Sequence, residues 1–174
     1  MSKLTALALS IAVLGGVWAF LALGPLGATE TSGAIALVWV GFIAWGCYFH
    51  SGADNAALQK TIAGMSFGAV MAAIALYLVS SGMLGGLGAL AAPVIIAVTV
   101  FPLVAAAGMN LLSVVPANVY GYAATAGLAL TAGTAGNATA MDMSNPAILV
   151  IISTVLGAVF GMVSGKLAGS LGGK

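Results

Sequence analysis

Gly64-Met65-Ser66-Phe67-Gly68 has the G-x-S-x-G spacing of a serine-hydrolase nucleophile elbow. That chemistry needs a strand-to-helix turn, a histidine base and an acid. Here the segment lies inside an apolar run and the one histidine is His50. The glycine spacing alone accounts for the match.

Asn118 is the stronger candidate, because it follows Pro116 in the apolar stretch Val114-Val115-Pro116-Ala117-Asn118-Val119-Tyr120-Gly121. Polar groups inside a membrane are expensive, so each marks a candidate pathway. Proline cannot donate a backbone hydrogen bond and frees the carbonyl four residues back. The stretch is therefore expected to be a bent or broken helix, offering carbonyls and an amide to water or a small solute. The alternative is that Asn118 bonds to a neighbouring helix and joins the two.

Trp45, Tyr48, Phe49 and His50 cluster at the end of another apolar run. They read either as an interfacial aromatic belt or as a constriction that excludes ions and passes a neutral solute. Trp45 is expected to pair with Tyr120 from the other half of the chain. His50 lies at or beyond the membrane edge, as solvated surface or as a pH sensor.

Other chemistries find no residues. One cysteine, Cys47, and one histidine do not make an ordinary zinc site. There is no arginine for a phosphate clamp or voltage sensor, no acidic residue within a span, no Walker A loop and no basic patch for nucleic acid. The expectation is a protein that is not an enzyme and has no cofactor, metal or nucleic-acid partner.

The elements that carry these residues are set by composition. The 174 residues are 62% hydrophobic, 4% are charged, and the mean hydropathy is +1.21. A soluble domain carries about a quarter charged residues, so the bilayer is the expected solvent. Six stretches approach the roughly 20 apolar residues that a span needs: 4–23, 33–49, 61–79, 88–105, 111–130 and 146–167. The second is short and the fifth is interrupted by Pro116. Spanning segments satisfy their backbone groups internally, and the runs lack the alternation of barrel strands. The expected fold is all-α, one polytopic domain of six transmembrane helices. The first run is longer than the roughly 7–15 apolar residues of a signal peptide and is expected to be retained. No lipidation motif is present.

With the N-terminus in the cytoplasm, Lys3, Lys60, Lys166 and Lys174 all fall on the inner face, as the positive-inside rule asks. Both termini are then cytoplasmic. Glu30 and Asp142 fall in outer loops, and 131–144 reads as a flexible small-residue outer loop. Its Asn137-Ala138-Thr139 fits a glycosylation sequon, a weak three-residue match.

Three spans per half would make the halves, 1–81 and 82–174, a 3+3 inverted repeat. Phe67-Gly68-Ala69-Val70 matches Leu156-Gly157-Ala158-Val159, Trp45-Gly46-Cys47-Tyr48 echoes Tyr120-Gly121-Tyr122-Ala123, and Ile11-Ala12-Val13 lies against Ile96-Ala97-Val98. Common Ala, Gly and Val also give such matches by composition, so six ordinary helices remain the alternative. Gly157, Gly161, Gly165 and Gly169, with Gly173 beyond, fall four apart on one helix face. Gly64 and Gly68, continued by Ala72, draw a similar stripe. Glycine lets membrane helices approach closely, within the chain or between copies.

Phe42-Ile43-Ala44-Trp45-Gly46-Cys47-Tyr48-Phe49-His50-Ser51-Gly52, followed by Leu58-Gln59-Lys60, resembles a family of small bacterial inner-membrane proteins typified by YcdZ. Pro116-Ala117-Asn118-Val119-Tyr120-Gly121 resembles that family's fifth span. The resemblance implies the architecture and a bacterial inner membrane. The family is of unknown function and implies no substrate or catalytic residue.

The expected function is an oligomeric channel or facilitator for a small neutral or weakly charged solute, such as urea, a short amide or a small organic acid. Trp45, Tyr48, His50, Pro116, Asn118 and Tyr120 are its pore or solute-binding candidates. The rival is a non-transporting scaffold or accessory subunit that packs through its glycine stripes. A water-accessible path past Asn118 favours the first, and a sealed core the second.

Overall fold

The computed structural model describes residues 1–27 and 34–172. Gly33, where the second run was expected to start, and Glu30, Gly173 and Lys174 lie outside the described residues. Among the described residues six α-helices follow one another: α1 Lys3–Leu23, α2 Val38–His50, α3 Asn55–Ser80, α4 Ala91–Ala105, α5 Val115–Thr131 and α6 Pro146–Leu171. Short 3-10 turns at Gly85–Leu90, Ala106–Gly108, Asn110–Leu112 and Ala135–Asn137 fill the connections. The described residues contain no strand.

The helix starts are written in the chain. Ser2 Oγ accepts from the Thr5 amide at 3.1 Å, Asp54 Oδ1 from Ala57 at 2.7 Å and Asn145 Oδ1 from Ala147 at 2.9 Å. Each satisfies an amide that the first helical turn leaves without a partner.

Four segments are long and apolar enough to cross a membrane: Lys3–Leu23, Asn55–Ser80, Gly85–Gly108 and Pro146–Leu171. Their outward faces carry exposed Leu4, Phe20, Phe101 and Leu171, an arrangement compatible with a membrane protein. α2, with 13 residues, extends only about 20 Å at 1.5 Å per residue, less than the roughly 30 Å of a hydrocarbon core. α5 has 17 residues.

Pro116 does not bend the middle of a span. It stands in the first turn of α5, where its missing N–H would have no intrahelical partner and its fixed φ suits the helix. The residues before it, expected as the start of the same span, form separate 3-10 turns. The proline within a helix is Pro102 in α4, three residues before that helix ends.

α3 and α6 meet at the centre of the bundle. α5 packs along α3 and α2 along α6, while α1 rests on α6 and α4 on α3. Glycine sets the distances. A Cβ on Gly157 would overlap the Gly41 backbone, and one on Gly68 would overlap the Asn118 carbonyl. One on Gly121 would overlap the Met65 backbone. Gly64 faces Ala117 and Asn118. Contact this close replaces the hydrophobic drive that lipid does not provide. The core between these seams is small and apolar: Val40, Ala44, Met65, Ala69, Ala124, Val150 and Ala158.

Segment 132–145 is folded onto the bundle. Ala138 is buried, and Asn145 Nδ2 donates to the carbonyls of Ala138 at 3.0 Å and Ala140 at 2.8 Å. Lys3 and Lys166 line one cleft with Asn55, the first residue of α3, and Lys60 follows Asn55 by little more than one turn. Three lysines therefore share one end of the bundle.

Candidate functional site: a groove between α2 and α5

α2 and α5 touch lightly and leave a groove of about 550 Å³ between them. Its α2 wall is Trp39, Phe42, Ile43, Gly46, Cys47 and His50; its α5 wall is Tyr120, Ala123, Ala124 and Gly127. On each helix these positions recur at three- and four-residue intervals, so one face of each is presented. A Cβ on Gly46 or Gly127 would meet nothing within 4 Å; these glycines keep the groove open. Trp39, Phe42 and Tyr120 are partly exposed along it.

The groove is apolar along most of its length and polar at one end. There the His50 ring meets the Tyr120 ring edge-on, with centroids 6.0 Å apart and planes at 81°. Cys47 Sγ is turned to the wall, where it accepts from Thr61 Oγ1 at 3.5 Å. Such a slot suits a small, largely uncharged molecule with one hydrogen-bonding end. Among the described residues no acidic side chain lines the groove beside His50, and no three metal-ligating side chains gather.

Two of the six expected pore residues, His50 and Tyr120, line this groove. Trp45 lies on the opposite face of α2, 3% exposed, and donates from Nε1 to Ser164 Oγ of α6 at 3.0 Å. It does not meet Tyr120. Tyr48 is also buried against α6, and its hydroxyl donates to the Ala53 carbonyl at 2.6 Å. That bond closes the turn between α2 and α3, in which Ala53 holds a left-handed φ of 57°. Pro116 is exposed at the head of α5.

Asn118 is fully buried and lines none of these walls. Its Nδ2 donates to the Leu103 carbonyl at 3.2 Å and the Leu112 carbonyl at 3.1 Å. The amide thus ties the head of α5 to the end of α4 and the connection between them. Its Oδ1 has no hydrogen-bond partner, and neither do Thr125 Oγ1 and Thr154 Oγ1.

The glycines divide. Gly64, Gly68 and Gly157 stand at close backbone approaches; Gly161 takes the rings of Trp45 and Tyr48, each at 3.1 Å from its Cβ position. Gly165 has ordinary contacts with Phe49 and Tyr48, and Gly169 has nothing within 4 Å.

Trp18 and Gly41 were missed in the sequence. The Trp18 ring covers Gly41 and its Nε1 donates to the Val38 carbonyl at 3.0 Å, while Ser153 Oγ accepts from the Leu37 amide at 2.8 Å. Together they fix the head of α2. The available signal for the groove was the spacing of Trp39, Phe42, Gly46 and His50 on one helical face.

The family described as Protein of unknown function (DUF1097) matches residues 8–169. No curated protein and no solved structure matches the chain.

Proposed function

We propose, for a chain that belongs to the DUF1097 family of unknown function, a channel or facilitator that passes a small neutral or weakly charged solute along the groove between α2 and α5. The observation that carries this reading is where the groove stands. Its walls are α2 and α5, the two α-helices that belong to none of the four segments long and apolar enough to cross a membrane, one from each half of the chain. Short or interrupted segments at corresponding positions in two halves are the best pointer to a transporter's site.

The packing supports an inverted pair of halves. Exchanging α1, α2 and α3 for α4, α5 and α6 returns the same set of neighbours: α2 on α6 becomes α5 on α3, and α1 on α6 becomes α4 on α3. Trp39, Ile43 and Gly46 then stand opposite Tyr120, Ala124 and Gly127 at the same spacing. In this register Gly46 is the counterpart of Gly127 rather than of Gly121, and Gly41 and Gly121, which both lie at close approaches, fall one position out of step. Six crossings follow if the non-helical residues before α2 and α5 complete their passage. The lysine-bearing end is then cytoplasmic by the positive-inside rule, in a bacterial inner membrane as the YcdZ-like resemblance implies. The partly exposed Trp39, Phe42 and Tyr120 suit coverage by a second copy, which would make the groove a lined path in a homo-oligomer.

Flux into liposomes tests this reading, with urea, acetamide and small organic acids as solutes. The parent is expected to pass at least one of them, and Gly127→Leu, which fills the groove where nothing else stands, to block it. A parent that passes none removes the basis of the channel. The second reading, a membrane scaffold, would then stand, and the sealed surroundings of Asn118 already favour it.

A further inference from the structure

The end of the bundle that carries the lysines holds a second cleft, of about 790 Å³, which shares no lining residue with the α2–α5 groove. It opens between the start of α1, the turn from α2 to α3, and the last turns of α6. Lys3 and Lys166 stand on its rim, and Leu7, Phe49 and Ala168 form apolar walls. Gly169 is an exposed lining residue with no atom within 4 Å of its Cβ position.

The field at this place favours an anion. Two ammonium groups face one carboxylate, that of Asp54, and its Oδ1 is engaged by the Ala57 amide at 2.7 Å. Lys3 opens α1 and Asn55 opens α3, so the positive ends of two long helices point this way. The ends of α2 and α6 contribute the opposite sign, so the excess of positive charge rests on the two lysines. The surroundings favour a lipid over a free ion: Leu4, Leu167 and Leu171 are exposed beside the cleft, giving an acyl chain an apolar surface to follow.

We propose that this cleft binds the headgroup of an anionic phospholipid, with the phosphate between Lys3 and Lys166 and the glycerol end over Gly169. The site requires only that the helices lie in a membrane and is independent of any solute path.

The full chain in a neutral detergent is titrated with a short-chain phosphatidylglycerol, the matching phosphatidylcholine and inorganic phosphate. Binding is read by native mass spectrometry and stability by thermal melting. Phosphatidylglycerol is expected to bind and raise the Tm, as any ligand of the folded state does; the other two leave it unchanged. Lys3→Gln and Lys166→Gln each weaken binding about fivefold and together about 25-fold, the usual scale for a lysine at an anionic lipid surface. Lys60→Gln, outside the cleft, keeps parental binding. Gly169→Leu adds a side chain to the lining without touching a charge, so it abolishes binding and melts like the lipid-free parent. No binding by the parent overturns the assignment. Equal effects of phosphatidylcholine or inorganic phosphate do so too, as does undiminished binding in the double lysine variant or in Gly169→Leu.

Discussion

Gly157 of α6 sits on the backbone of Gly41 of α2, so close that a Cβ on Gly157 would overlap it, while a Cβ on Gly41 would meet the Trp18 ring. Gly169, three helical turns further along the same helix and on the same stripe, faces open space. One periodic pattern in the sequence therefore serves two ends, a seam and the lining of a cleft.

Leucine separates the two. Gly157→Leu forces the backbones of α2 and α6 apart, and overpacking of this kind costs about 1–3 kcal/mol or more. Gly169→Leu is expected to leave the melting temperature at the parental value or above it, since leucine is the better helix former. Thermal melting in detergent reads both, and equal losses would remove the seam from the account.

Asn118→Leu is expected to weaken the fold. The Leu103 and Leu112 carbonyls lose their donor, and each buried group left without a partner costs about 1–3 kcal/mol. Hydrogen exchange should quicken at the head of α5 before it does in α1. A variant as stable as the parent, with solute flux abolished, would instead make Asn118 a pathway residue.

Trp45→Ala removes a buried ring and its bond to Ser164. Removing a large core side chain costs about 3–5 kcal/mol, so the melting temperature falls. Flux per folded molecule stays at the parental level, because the ring faces α6 rather than the groove. A leak that appears with full stability would put Trp45 back at a constriction.

Orientation can be read from reporter fusions at Lys174 together with labelling of a cysteine placed at Lys166 in a Cys47→Ser background. Both are expected to report the cytoplasm. A periplasmic signal at both positions would reverse the topology drawn from the lysines.

The sequence by itself determined the class of the protein and most of its helices. An apolar chain with 4% charged residues leaves few polar groups to stop a helix. The caps that start three of them, Ser2, Asp54 and Asn145, are local and legible. It determined the close approaches of Gly64, Gly68 and Gly157 as well, because only glycine omits the atom that would forbid them. Tertiary structure decided which way each side chain faces. α2 is apolar on every side, so nothing in its composition tells Trp45, against α6, from His50, against Tyr120. Only the packing of α6 on one face and the opening towards α5 on the other separates them. The same holds for Asn118: its amide marks a polar position, but the carbonyls that claim it come from the end of α4 and the turns beyond. A chain read in order does not reveal that meeting, which is set by how α4 and α5 fold together on α3.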